Sequence, residues 1–385
     1  MSGSDPLPRP RRVRRGAALT LVFAGVLVTG AATGSFEGPT ERGRTPVGRH
    51  GEDEVVQAAT RALAKGTSAA DAARRAVSRS GDRWGAVYSE GDYAAYEQSL
   101  DGEYTGVGLW VRRDERGRTE IVRVQPGAPA DRAGIRAGDL LTDIDGRRLT
   151  GLPVTEVVAR LRGDDARGGD AADTAVALGL RRAAHAWHRT LHRATLTNPS
   201  VSVTRLGDSA HATVVVEVSA FTKGSGQRVR DAVRAAPAGA GILLDLRGNS
   251  GGLVTEATEA ASAFLDGGLV ATYDIKGVQH ALHAKPGGDT TRPLVTLVDG
   301  GTMSAAELLT GALQDRGRAV VVGARTFGKG SVQMPSPLPD GSVAELTVGH
   351  YRTPSGRTLD GRGITPDLEA TDHARTQAQT VLSGL

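Results

Sequence analysis

Residues 239–265, GAGILLDLRGNSGGLVTEATEAASAFL, run from a wholly apolar stretch through a glycine-rich turn into a helical pattern. That order constrains the fold more than any other part of the chain. A strand, a glycine-rich turn and a helix in that order make one unit of an α/β alternation. The preceding segments agree: ATVVVEVSAF at 212–221 reads as a strand and GSGQRVRDAVRAA at 224–236 as a helix. The alternation argues for an α/β core. In such a core the turn DLRGNSGG, 245–252, falls at the carboxyl end of a strand, where sites are built. Its glycines let backbone N–H groups approach a reacting oxygen. A phosphate loop would use glycines too, but no GK[ST] follows here.

A second apolar strand leads into Ser304, in LVTLVDGGTMSAAE, and Lys329 follows 25 residues later in GARTFGKGSVQ. Lysine is scarce: five occur among 47 basic residues. A serine hydroxyl needs a base to become nucleophilic, and arginine cannot serve because its guanidinium stays protonated, whereas a desolvated lysine approaches neutrality. Each residue also has an ordinary reading. Ser304 with Glu307 matches a capping box, Lys329 is a loop lysine between glycines, Asp315 could end a helix, and Gln333 could be a polar strand residue.

With 385 residues there is chain for two or three domains. A net charge of +4 with acidic and basic residues interspersed argues against a nucleic-acid surface. Cysteine is absent, which excludes disulfides, thiolate catalysis and cysteine-ligated zinc. The basic N-terminus, 1–15, precedes 21 uncharged residues from Gly16 to Phe36, long enough to span a bilayer once. Charge asymmetry predicts a single-pass cell-membrane anchor with the body of the protein extracytoplasmic. A cleaved signal peptide and secretion is the competing expectation. Residues 37–51 read as a flexible tether, and 52–103 as a helical segment with Val55, Val56, Ala59, Leu63, Ala69, Ala73 and Val77 on its inner face, capped near Ser68 and Asp71 and carrying no catalytic residue.

The segment from Tyr104 to Gly163 resembles a PDZ domain of the bacterial protease-associated type, here assigned to 104–196. GVGL at 106–109 is similar to that family's carboxylate-binding loop, which implies that Val107, Gly108 and Leu109 hold a peptide's terminal carboxylate while the peptide adds as a strand. LPVTEVVARLRG, 152–163, resembles the helix lining the groove, and 174–182 and 187–196 read as closing strands. His188 and His192 on one strand would lie about 13 Å apart, too far to chelate one ion. His280 and His283 fall in a surface hairpin, without the surroundings of a Ser/His/Asp triad. No metal and no cofactor is expected.

DLRGNSGG, GTMSAAE, TFGKGSVQ and GHYRTPSGRTLDGRGITPD (349–367) together resemble the carboxyl-terminal processing peptidases, or tail-specific proteases, of serine peptidase family S41. The resemblance implies an S41 core of crotonase-like α/β (α+β) type over 197–370, after a short helical segment and the small β-rich PDZ domain, with 371–385 a C-terminal tail. It implies a serine endopeptidase cleaving near unstructured C-termini of exported or membrane proteins. Its partners would be protein or peptide substrates with exposed C-termini, the membrane through the anchor, and no nucleic acid. Position by position, Ser304 matches the nucleophile, Lys329 the base, Gln333 a glutamine positioning the lysine amine, and Asp315 a supporting aspartate. Gly251 or Gly252 with Ala305 would form the oxyanion hole. The chain departs from the family at Ser250, where proline is usual, and at Met303, which is bulkier than the usual alanine. A catalytically silent peptide-binding scaffold and a small-molecule esterase are the alternatives on this fold.

Overall fold

The computed structural model describes residues 49–163, 171–207, 212–275 and 277–385. The anchor expected over 16–36 lies outside them; among the described residues no helix is long and apolar enough to cross a membrane.

The alternating apolar runs form a six-stranded sheet in the order Val201–Leu206, Thr213–Val218, Gly241–Asp245, Leu294–Val298, Val320–Gly323 and Leu368–Glu369. Only the first pair is antiparallel; the rest run parallel. Both central strands are buried on both faces, which is why neither shows alternation. On one face Val214, Val216, Ile242 and Leu244 pack against the helices Ser225–Ala235, Val254–Ala261 and Ala305–Asp315.

The other face carries a correction. Residues 371–385, expected as a tail, contain the helix Ala374–Ser383, whose Ala374, Ala378 and Leu382 cover Val215, Leu243, Val295 and Leu297. The i, i+4, i+8 spacing of those three residues makes a narrow apolar stripe. Among polar neighbours it is a weak signal until the sheet behind it is known.

A second, antiparallel sheet holds Ala86–Tyr88, Val343–Arg352, Leu269–Ile275 and Val278–His283 in that order, with Ser331–Pro337 also paired to the long strand. The helices Arg49–Ala64 and Ala69–Ser80 pack on it through Val55, Ala59, Ala73 and Val77 against Leu338, Ala344 and Leu346. Ser68 caps the second helix by accepting from the Asp71 N–H at 3.1 Å. Leu63, expected on the inner face, is instead 45% exposed, because the inner stripe continues through Ala59 and Ala62.

The PDZ-like sheet orders Leu109–Arg113, Thr119–Val124, Leu140–Ile144, Ala175–Arg182 and His185–His192 around Ile121, Leu141, Leu178 and Leu180. The closing strand read over 187–196 is broken at Arg193. This buried guanidinium donates to the carbonyls of Leu161 and Arg160 at 3.0 and 2.9 Å, satisfying the end of the helix Val154–Arg162. Beyond it, Ala194–Thr197 leaves the sheet and pairs with Glu103–Gly106, a two-stranded link into the core.

Truncation of the stripe tests the covering role of the C-terminal helix. Leu382→Ala removes a side chain only 6% exposed and is expected to lower unfolding free energy by about 2–4 kcal/mol in a urea titration.

Candidate active site

Ser304 lies between the turn after Leu294–Val298 and the helix Ala305–Asp315 with φ +51° and ψ −117°. A non-glycine residue held there is strained, at a cost of about 1–3 kcal/mol, and such strain persists only where neighbours impose it. The neighbours are specific. The Met303 N–H donates to Asn249 O at 2.8 Å, and Leu308 N–H to Ser304 O at 3.0 Å. A Cβ at Gly251 would come within 2.9 Å of Ser304 Cβ, so the turn closes against the serine only because residue 251 is glycine, at φ +102°. The strand, strained turn and helix start expose a hydroxyl at the positive end of a helix.

The glycine-rich turn is fixed from several sides. Asp299 Oδ1 accepts from the N–H groups of Gly248 and Gly301 at 2.8 and 2.9 Å. Asn249, fully buried, donates through Nδ2 to Val218 O at 2.8 Å and accepts the Gly251 N–H through Oδ1, also at 2.8 Å. Arg247 grips Asp245 with two hydrogen bonds of 2.8 and 2.6 Å, which raises the guanidinium above its ordinary value. Gly251 thus has its N–H engaged, whereas those of Gly252 and Ala305 have no hydrogen-bond acceptor among the described residues.

Glu307 brings the serine and the lysine together. It is completely buried and accepts four donors. Oε2 takes the backbone N–H of Ser304 at 2.9 Å and of Lys329 at 2.8 Å; Oε1 takes the Thr326 hydroxyl at 2.5 Å and the Gly328 N–H at 2.7 Å. Ser304 and Lys329, 25 residues apart, converge on one carboxylate oxygen. Sequence reading caught only the capping half of this arrangement, since S-x-x-E signals a helix start but not a reach across to another loop.

Burial holds the Lys329 amine below its ordinary value of 10.5, against the opposing pull of Glu345 and Asp82. Burial also pushes Glu345 up. The amine lies 5.6 Å from the centre of the Trp84 ring. Gln333 donates its side-chain amide to the Trp84 carbonyl and sits across from Thr347. No hydrogen bond joins Gln333 or Ser304 to the lysine amine among the described residues; such bonds often tighten only when substrate binds.

Asp315 is not brought to this cluster. It ends the helix that Ser304 begins, eleven residues on and about 16 Å away along the axis. There it accepts from the Ser355 hydroxyl at 2.6 Å and pairs with Arg357. Burial pushes its carboxyl up, but hydrogen bonds from Ser355 and Thr353 and the Arg357 charge outweigh this and hold it below 3.8.

The loop 106–109 is tightly packed against the segment that follows it. Gly108 lies at φ +82°, and a Cβ there would meet the Ala128 Cβ at 2.3 Å. The carbonyls of Val107 and Gly108 accept from Ala130 and Gln125 at 3.0 and 2.9 Å, while Leu109 starts the edge strand of that sheet. The link from this domain reaches the glycine-rich turn through one short segment. Lys223 N–H donates to Leu100 O at 2.8 Å and the Thr222 and Ser200 hydroxyls are 2.7 Å apart. On its other side Phe221 exchanges bonds of 2.7 Å with Gly251 O and the Leu253 N–H. His188 and His192 lie on the exposed strand His185–His192, and His280 stacks on Tyr273 at 5.0 Å; no group of three metal-ligating side chains occurs among the described residues.

Residues 212–370 match the model of peptidase family S41, and residues 120–167 that of a PDZ domain. The chain is 32% identical over 310 residues to the chloroplastic carboxyl-terminal-processing peptidase 3 of Arabidopsis thaliana, covering 77% of this chain and 59% of that protein. It is 35% identical over 285 residues to a carboxyl-terminal-processing protease of Synechocystis sp., covering 71% and 64%. Among solved structures, a photosystem II D1 C-terminal processing protease aligns with a TM-score of 0.50 and 28% identity over 82% of this chain and 86% of that one. The chain therefore spans less than two thirds of the length of the curated relatives it matches.

Two substitutions separate the residues that organise the site from those remote from it. Glu307→Gln leaves two of four buried donors without an acceptor and is expected to cost about 1–3 kcal/mol for each, read by chemical denaturation. Asp315→Asn removes a carboxylate whose folded value is depressed. Its contribution is present above 3.8 and is lost as pH falls through the lower folded value, so the stability gap to wild type at pH 7 should close on acidification.

Proposed function

We propose that this chain, a member of peptidase family S41, is a serine endopeptidase that cuts proteins near unstructured C-termini held by its PDZ domain, with Ser304 as nucleophile and Lys329 as base. The observation that carries the proposal is the convergence of both backbones on Glu307, with Ser304 strained at a helix start and Lys329 held below the ordinary lysine value. A neutral amine takes the Ser304 proton as Oγ attacks the scissile carbonyl. The amine then returns that proton to the leaving nitrogen, and water hydrolyses the acyl-enzyme with the same base. The N–H groups of Gly252 and Ala305 hold the developing oxyanion, because that of Gly251 already serves Asn249. Gln333, anchored by the Trp84 carbonyl, aligns the amine. Asp315 supports the site at a distance by fixing the loop around Ser355.

In the PDZ domain the loop Val107, Gly108 and Leu109 receives the terminal carboxylate, and the edge strand Leu109–Arg113 pairs with the peptide behind it. The charge pattern of residues 1–37 supports an extracytoplasmic placement of the catalytic part.

The test is cleavage of an unstructured reporter protein with a free C-terminus. Ser304→Ala and Lys329→Ala each abolish cutting while the circular dichroism spectrum is kept, and Lys329→Arg does not restore it. Cleavage by wild type rises with pH through the Lys329 value, which lies below 10.5, because a protonated amine cannot accept the serine proton. Amidating the reporter's C-terminus raises KM. A wild-type protein that binds C-terminal peptides and never cuts them would establish the scaffold reading instead.

A further inference from the structure

Trp84 arrives at the site from outside the catalytic core. It lies in the turn between the helix Ala69–Ser80 and the strand Ala86–Tyr88, in a segment whose sequence carries no catalytic signature. That turn is held firmly. Asp82 Oδ1 accepts the N–H groups of Trp84 and Gly85 at 3.1 and 3.0 Å, and the same carboxylate accepts the Thr347 N–H and hydroxyl at 2.7 and 2.8 Å. The indole is pinned separately. Its Nε1 donates to Asp360 at 3.0 Å, its ring leans on Phe327 at 5.6 Å between centres, and its backbone carbonyl accepts the Gln333 amide. Asp360 and Phe327, distant from Trp84 in sequence, therefore hold the ring while Gln333 holds its backbone, and the amine of Lys329 lies 5.6 Å from the ring centre.

We propose that Trp84 is a positioning residue for Lys329, an apolar wall that keeps bulk water from the amine and so keeps it able to accept a proton. The inference rests on the reading of Lys329 as base. An indole near an amine acts in two opposed ways. Its face attracts the ammonium, favouring the charged form, and its bulk excludes water, favouring the neutral one. At 5.6 Å the amine is close to the outer limit of about 6 Å for the first effect, and burial is the dominant influence on Lys329. Exclusion of water therefore prevails. The charged groups around the amine are Glu345 on the strand Val343–Arg352 and Asp82 in the turn, both favouring the ammonium. Around the indole are Asp360 on Nε1 and Arg83, whose guanidinium lies 4.5 Å from the ring centre. Two carboxylates pull toward the charged form, and burial, to which the indole contributes one face, opposes them.

The experiment measures two things on the full chain: the pH profile of kcat/KM for an unstructured reporter, and the pH dependence of Lys329 labelling by an amine-acylating reagent, read by mass spectrometry. In Trp84→Ala both midpoints should move up by about one pH unit, an approximately tenfold loss of activity at any pH on the acid limb. Trp84→Phe, which keeps a ring and loses the Asp360 bond, should return both to near wild type. Phe327→Ala loosens the brace from an exposed position, 47% accessible, and should move both midpoints in the same direction by less, which preserves the test should Trp84→Ala not fold. Unchanged or lowered labelling midpoints in these variants would overturn the proposal. A labelling midpoint that rises while the activity profile stays put would leave the wall intact and overturn Lys329 as base.

Discussion

Glu307 is the group on which the site depends. A carboxyl group completely removed from water is destabilising unless its oxygens are satisfied, and here each oxygen accepts two donors. The donors come from the serine turn and from the loop 326–329, so satisfying the buried carboxylate and bringing the backbones of Ser304 and Lys329 together are the same event. The strain at Ser304 follows from it. The helix start and the loop are both tied to Glu307, the Gly251 backbone presses from the other side, and the serine occupies the conformation left to it.

The dense bonding around Ser304 contrasts with the link to the PDZ domain, which is a two-stranded ribbon and a few hydrogen bonds. Phe221 and Thr222 lie between them, bonded to the glycine-rich turn on one side and close to the link on the other. The segment that receives the PDZ domain is therefore contiguous with the one that shapes the turn beside Ser304.

Much of the fold was legible from pattern. Leu294–Val298 and Gly241–Asp245 are buried and show no polar alternation because helices cover both their faces, and Ser225–Ala235 carries a helical period because it covers one. Gly108 and Gly251 were legible only as members of glycine-rich loops; that both sit at positive φ against neighbours that exclude a Cβ came from the structure. Less legible were features whose meaning depends on a distant partner. Arg193 is one more arginine in an arginine-rich chain until its guanidinium is seen closing a helix end. Asp315 was expected near Ser304, yet the helix that joins the two also holds it three turns away.

From the sequence alone came the α/β order of the core, the glycine-rich turn, the PDZ-like loop and the expectation that Ser304 and Lys329 act together, because each is written in local periodicity, in residue type or in a short motif. Tertiary structure decided the rest: which glycine N–H stays unengaged, that Glu307 joins the two loops, that 374–383 is a covering helix, and that Trp84 stands beside the lysine. These depend on contacts between residues tens to hundreds of positions apart. Burial and hydrogen-bond satisfaction select such contacts only once the whole chain has closed around its cores.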